Sequence, residues 1–187
     1  MAGNKKLRIP YQTGVGRIDY SHVVVPDTKF GAPVYHVTFS LDPTEGKAML
    51  AELEGKHPSF KGLIPYQIKD DGRYSFKVKQ RKYIQWFDKG VKQEKELLPT
   101  LLNKDNTPYE GAEPWGGSTG EVAMYLEPTK GPQGESVALR LKGVRFHDVV
   151  LGSGGGAADP MFGPAPVSGA AASEEETDFD DDIPFSN

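Results

Sequence analysis

The sequence predicts a small, mainly β domain with one inserted helix, followed by an acidic tail that has no core to join. Three observations carry this reading: five segments with strand-type alternation, one segment with helical spacing, and an abrupt change of composition after Leu151. The 187 residues suffice for one domain with an appendage, since a domain takes roughly 100–200 residues.

The strands come in order as "GRIDYSHVVV", "PVYHVTFSL", "RYSFKVKQRKYIQWF", "GEVAMYLEP" and "SVALRLKGVRFHDVV". Each is rich in Val, Tyr, Phe and Ile and is bounded by Gly, Pro or Asp. "EKELLPTLL" offers a further short strand, which Pro99 confines to an edge. The helix is "PTEGKAMLAELEGKH", with Pro43 in its first turn, Ala48, Met49, Leu50, Ala51 and Leu53 on helical spacing, and Gly55 as its stop. "KDDGRY" reads as a turn ahead of the third strand and "GGSTG" as a hairpin loop. Five strands with a helix among them describe a five-stranded barrel of the OB-fold kind over residues 1–151, with a β-sandwich as the alternative.

Parity along the strands sorts core from surface. Tyr74, Phe76, Val78, Ile84 and Trp86 share one parity, and Lys77, Lys79, Arg81, Tyr83 and Phe87 the other. In the last strand Val137, Leu139 and Leu141 point one way and Arg140 and Lys142 the other. Gly143 marks a bulge, after which Val144 and Phe146 face inward and Arg145 outward. Two basic faces on one sheet make a groove. Cations interleaved with aromatics suit an unpaired nucleic-acid strand, because phosphates need positive charge and bases need a π-face. The candidate contacts are Lys77, Lys79, Arg81, Lys82, Arg140, Lys142 and Arg145 for phosphate, and Tyr83, Trp86, Phe87, Trp115 and Tyr125 for bases.

Charge divides the chain as composition does. All 22 Lys and Arg lie at or before Arg145, while eight of the 26 acids lie from Ser153 onward. The body therefore sets 22 cations against the remaining eighteen acids, a net +4, and the tail carries −8. A basic body points to a polyanionic partner, and such a tail competes with it. Residues 152–177 are rich in Gly, Ala, Pro and acids, too poor in apolar groups to offset the entropy of ordering, and read as a flexible linker. Residues 178–187 then return Phe179, Ile183, Pro184 and Phe185 among Asp178, Asp180, Asp181 and Asp182, which reads as a docking peptide.

Other classes find little support. No cysteine is present, so disulfides and thiolate metal sites are excluded, and the absence of thiol chemistry fits a reducing compartment. No segment resembles a signal peptide or a membrane span, and the expected location is the cytoplasm. His22, His36, His57 and His147 show no metal-ligand spacing, and no phosphate-binding loop, dinucleotide fingerprint or nucleophile elbow occurs. The reading is of a protein without catalytic activity, metal or cofactor.

"DFDDDIPF" at Asp178–Phe185 resembles the C-terminal tip of bacterial single-stranded DNA-binding proteins, which likewise follows a Gly- and Pro-rich linker on an OB-fold. Over roughly Gly14–Val150 the body instead resembles, in the order and spacing of its strands, the single-stranded DNA-binding proteins of short-tailed and related phages. The resemblance implies a protein that coats single-stranded DNA in phage replication, recombination or repair, within the bacterial host. It implies a tip that docks on polymerase, helicase, primase or nuclease partners, and a tail that occupies the DNA groove until DNA displaces it. Ser186 and Asn187 depart from the pattern, in which the tip ends on Phe with a free carboxylate. A homodimer is compatible with this reading. Its rivals are a recombination annealing protein and an acidic-tailed chaperone or scaffold for basic proteins.

Overall fold

Alternation sends one row of side chains from each strand to a common interior, and closure of the sheet decides what becomes of the other row. The structure is a computed structural model and describes residues 7–29, 31–132 and 134–152. Its elements are β1 Ile9–Gln12, β2 Gly16–Asp27, β3 Val34–Leu41, α1 Pro43–Lys56, β4 Gln67–Ile68, β5 Tyr74–Arg81, β6 Tyr83–Asp88, β7 Val91–Glu96, β8 Thr100–Asn103, β9 Thr119–Gly131 and β10 Gly134–Asp148. A turn of 3-10 helix, Pro58–Phe60, follows α1.

Five strands close a ring. β2 pairs with β3, β3 with β5, β10 with β9, and β9 with β2, all antiparallel, while β5 meets β10 in parallel at Lys79 and Arg140. These are the five strands expected from the sequence, and the barrel holds over the sandwich. β1 lies along β9, β8 parallel to β10, and β4 beside β5 through the turn at Gly72. Among the described residues no helix is long and apolar enough to cross a membrane.

The inward row makes the core. Ile18, Val37, Phe39, Phe76, Val78, Val122, Met124, Leu126, Val137, Leu139, Leu141, Val144 and Phe146 are all buried, with the Phe39 and Phe76 rings stacked at 5.4 Å. The bulge at Gly143 is present as a register shift between Leu141 and Gly143, and it returns Val144 and Phe146 to the interior. A Cβ on Gly143 would stand 2.3 Å from the Thr100 carbonyl oxygen, so only glycine lets β8 pair there.

Asp42 caps α1, its carboxylate accepting the N–H groups of Thr44 at 2.9 Å and Glu45 at 3.0 Å. The helix passes the expected stop at Gly55 by one residue and ends at His57. Gly46, Met49 and Leu53 form its buried stripe, against the Leu41 and Tyr74 end of the barrel.

Two expectations need correction. The segment "RYSFKVKQRKYIQWF" is not one strand: the chain leaves the barrel at Lys82, whose N–H bonds to the Pro33 carbonyl, and β6 pairs only with β7 in a separate hairpin. Ile84 and Trp86 are therefore exposed rather than core. "GGSTG" is no hairpin loop, because β8 and β9 do not pair with each other. The linker and tip readings from Ser153 onward lie outside the described residues.

Gly46→Ala tests the helix contact. The exchange gains about 1 kcal/mol of helix propensity, but the new Cβ would stand 2.5 Å from the Tyr74 Cβ, which is fixed to the backbone. Overpacking costs about 1–3 kcal/mol, so the denaturant midpoint should fall; an unchanged or higher midpoint would show that α1 shifts freely on the barrel.

Candidate functional site

β5 contributes the cations. Lys77, Lys79 and Arg81 alternate with buried Phe76 and Val78, stand exposed on the outside of the barrel, and make no ion pair among the described residues. Strand register then fixes their neighbours. Lys77 lies opposite Thr38, which lies opposite Tyr20, and Lys79 lies opposite His36, which lies opposite His22. The outer face of β2, β3 and β5 thus carries an aromatic row beside a cationic row.

The aromatic row is a cluster. Tyr20 stacks on His36 with ring centres 5.4 Å apart, and His22 meets Tyr20 and His36 at 5.2 Å each. Tyr20 remains 54% exposed. These rings, Lys77 and Lys79 line a groove walled by Pro26, Asp27, Thr28, Lys29, Ala32 and Val34. A second concavity shares Lys77 and adds Thr38, Pro65, Tyr66 and Gln67. Tyr66 is 46% exposed and stacks on Tyr74 at 5.3 Å.

Glu113 shapes the groove's rim. Its carboxylate accepts the N–H groups of Val23 at 2.8 Å, Val24 at 2.8 Å and Val25 at 2.9 Å, and so holds β2 where its register with β3 breaks between His22 and Asp27. Asp27 then turns toward His36, with Oδ2 at 3.4 Å from Nε2. Burial holds His36 below the usual imidazole range, and the Lys29 N–H holds the Asp27 carboxyl below its ordinary value.

The β6–β7 hairpin springs from the end of β5, directly beyond Arg81. Lys82 secures its base: the ammonium lies 3.2 Å from Glu96 and over the Tyr83 ring, its carbonyl accepts the Leu97 N–H at 2.6 Å, and hydrogen bonding with Tyr83 and Glu96 raises its pKa. Tyr83, Trp86 and Phe87 are exposed, Phe87 at 75%. They extend the aromatic surface away from the barrel.

The remaining candidates are placed differently. Arg140 pairs with the buried Glu127 at 3.2 Å, which Arg8 also meets, and Arg145 pairs with Glu121 and donates to Asn106. Their charges are offset locally, whereas Lys142 stands exposed beside β8 without an ion pair among the described residues. Tyr125 lies opposite Arg140 on β9 and is half-buried. Trp115 sits beyond the outer edge of β2, with β2 and β3 between it and β5. Its backbone N–H donates to the Val150 carbonyl and its ring lies against Gly152.

Sequence reasoning missed Tyr20, His22, His36 and Tyr66. His36 has the outward parity of β3, so extending the parity argument to that strand would have found it; Tyr20 and His22 share the parity of buried Ile18 and face outward only because the register shifts between Ile18 and Tyr20. His22 and His36, fourteen positions apart and without ligand spacing in the sequence, become direct cross-strand neighbours. With Asp27 they bring three metal-ligating side chains together, a juxtaposition that spacing along the sequence does not show.

No family model and no curated protein sequence matches the chain. Solved structures do. The gp2.5 single-stranded DNA binding protein encoded by bacteriophage T7 superposes with a TM-score of 0.63 at 20% identity, over 76% of this chain and 93% of that one. The single-stranded DNA-binding protein from bacteriophage Enc34 does so as a C-terminal truncation, with a TM-score of 0.57 at 13% identity over 76% of this chain and 87% of that one. Its complex with ssDNA gives a TM-score of 0.52 at 12% identity, over 80% of this chain and 98% of that one. The chain shares the fold of these phage single-stranded DNA-binding proteins.

Proposed function

We propose that this protein binds single-stranded DNA along the outer face of β2, β3 and β5, with little sequence preference, in phage DNA replication, recombination or repair. The observation that carries the reading is the groove itself, where exposed Tyr20 and Tyr66 flank Lys77 and Lys79. Lys77, Lys79 and Arg81 neutralise phosphates; Tyr20 and Tyr66 stack bases, each worth about 1–3 kcal/mol; and Tyr83, Trp86 and Phe87 close over the strand from the hairpin. Arg140 and Arg145, already paired with carboxylates, contribute less than Lys142. The likeness of fold to single-stranded DNA-binding proteins of bacteriophages T7 and Enc34 supports this, as does the +4 charge of the body. The role is binding alone, with no reaction.

The acidic tail gives the protein a second role. Asp178–Phe185 docks on replication and repair proteins, with Ile183 and Phe185 as apolar anchors and the aspartates meeting basic rims. Eight acids tethered to the same chain compete with DNA at high effective concentration.

Titration of the chain with oligothymidine should quench Trp86 fluorescence, and Trp86→Phe should remove most of that quenching because Trp115 lies away from the groove. Reversing the charges of Lys77, Lys79 and Arg81 together should weaken binding and flatten the log–log salt slope by about 2, at about 0.7 per lost phosphate contact. Unchanged affinity in that variant would move the site off β5. Tyr20→Ala should cost about tenfold or more in affinity with the thermal midpoint retained.

Cutting after Gly152 should raise DNA affinity, most at low salt where charge is least screened. Phe185→Ala should instead lower partner binding and leave DNA affinity unchanged. Equal DNA affinity of the cut and full chains at every salt concentration would remove the competitor role.

A further inference from the structure

We propose that His22, Asp27 and His36 form a binding site for a divalent transition-metal ion of the Zn2+ class, with one coordination position open to the groove. The three side chains come from the cross-strand pair of β2 and β3 and from the end of β2. One donor atom from each lies within 4.8 Å of the others, and the His36 Nε2 to Asp27 Oδ2 distance is already 3.4 Å. Ligands about 2.0–2.1 Å from a tetrahedral Zn2+ stand about 3.4 Å apart. A modest turn of His22, which is half-buried and borders the groove, completes the set.

The surroundings are arranged as metal ligands require. His22 Nδ1 lies 3.2 Å from the Val25 carbonyl oxygen, which as acceptor fixes the tautomer that leaves Nε2 with a free lone pair. That Nε2 now accepts the Tyr20 hydroxyl at 2.8 Å, a bond the ion would replace. Asp27 Oδ1 is occupied by the Lys29 N–H at 2.8 Å, leaving Oδ2 for the ion. His36 is 4% exposed, and its Nε2 is the nitrogen that faces Asp27. Glu113 is a positioning residue here, because it holds the Val23–Val25 backbone that brings Asp27 back to His22.

The donor set selects the ion. Two imidazoles and one carboxylate suit Zn2+, Co2+ or Ni2+, whereas Mg2+ and Ca2+ seek oxygen ligands. Lys77 and Lys79 border the same groove, so its charge argues against a site for hard dications held by electrostatics alone. Those lysines line one groove with the three ligands, and a phosphate oxygen of the strand they hold becomes the fourth ligand. That last step rests on the proposed function; metal binding itself does not.

The test is a Co2+ titration of the untagged, chelator-stripped full chain, followed by its visible absorption. One equivalent should give the intense d–d bands of a tetrahedral site, and Zn2+ should bleach them. His22→Gln and Asp27→Asn should each weaken Co2+ binding at least about tenfold, with thermal melting confirming that both fold; His36→Gln, at a buried position, is the less safe variant. No tetrahedral band in the intact chain, or equal bands in His22→Gln and Asp27→Asn, would overturn the site. With Zn2+ bound, oligothymidine affinity should exceed that of the stripped chain, and equal affinity would overturn the phosphate step. Metal bound without any DNA binding would sink the nucleic-acid reading and leave the metal site standing.

Discussion

Closure of the barrel between β2 and β9 is the constraint on which the rest depends. It is made where two glycines face each other, Gly16 opposite Gly120. A Cβ on Gly16 would stand 2.9 Å from the Ser40 carbonyl oxygen, and one on Gly120 would stand 2.6 Å from that of Arg145. Backbones pass too closely there for any side chain. Because the ring closes, each strand's inward row enters a dry core and its outward row is left to solvent. Lys77 and Lys79 owe their exposure to the burial of Phe76 and Val78, and Tyr20, beyond the register shift after Ile18, to that of Ser21 and Val23.

The outward rows are not equivalent. On β10 the cations face β9, which carries Glu121 directly opposite Arg145 and Glu127 diagonal to Arg140. Cross-strand ion pairs form there, and they support the sheet. On β5 the cations face β3, which offers Thr38 and His36 and no carboxylate at those positions. Among the described residues, positive charge without an ion-pair partner therefore concentrates over β5, beside rings that belong to β2 and β3. Opposite partners, rather than the number of cations in a strand, decide which face remains free to meet phosphate.

Much of this was legible in the sequence because it is local. The five barrel strands showed in their alternation, the helix in the spacing of Met49 and Leu53, and the bulge in a single glycine that breaks the parity of β10. The strand break at Lys82 was not legible, because parity runs through it unchanged and the cause is a hydrogen bond to Pro33, far away in the chain. β1 hid behind Pro10, which its edge position on β9 tolerates. The Tyr20, His22 and His36 cluster and the ion pairs of Arg140 and Arg145 are products of register between strands, which composition does not carry. Asp27 reaches His36 only because Glu113, from a distant loop, holds the break in β2.

Ultraviolet cross-linking of the full chain to oligothymidine, with mass mapping of the modified peptides, tests the central claim most directly. Cross-links are expected on the peptides that hold Tyr20, Tyr66 and the Tyr83–Phe87 hairpin, since Tyr20 and Tyr66 border the cations of β5 and the hairpin continues from the end of that strand. Cross-links confined to Trp115, Tyr109 or Tyr125, with none on the β2, β3 and β5 face, would contradict the account.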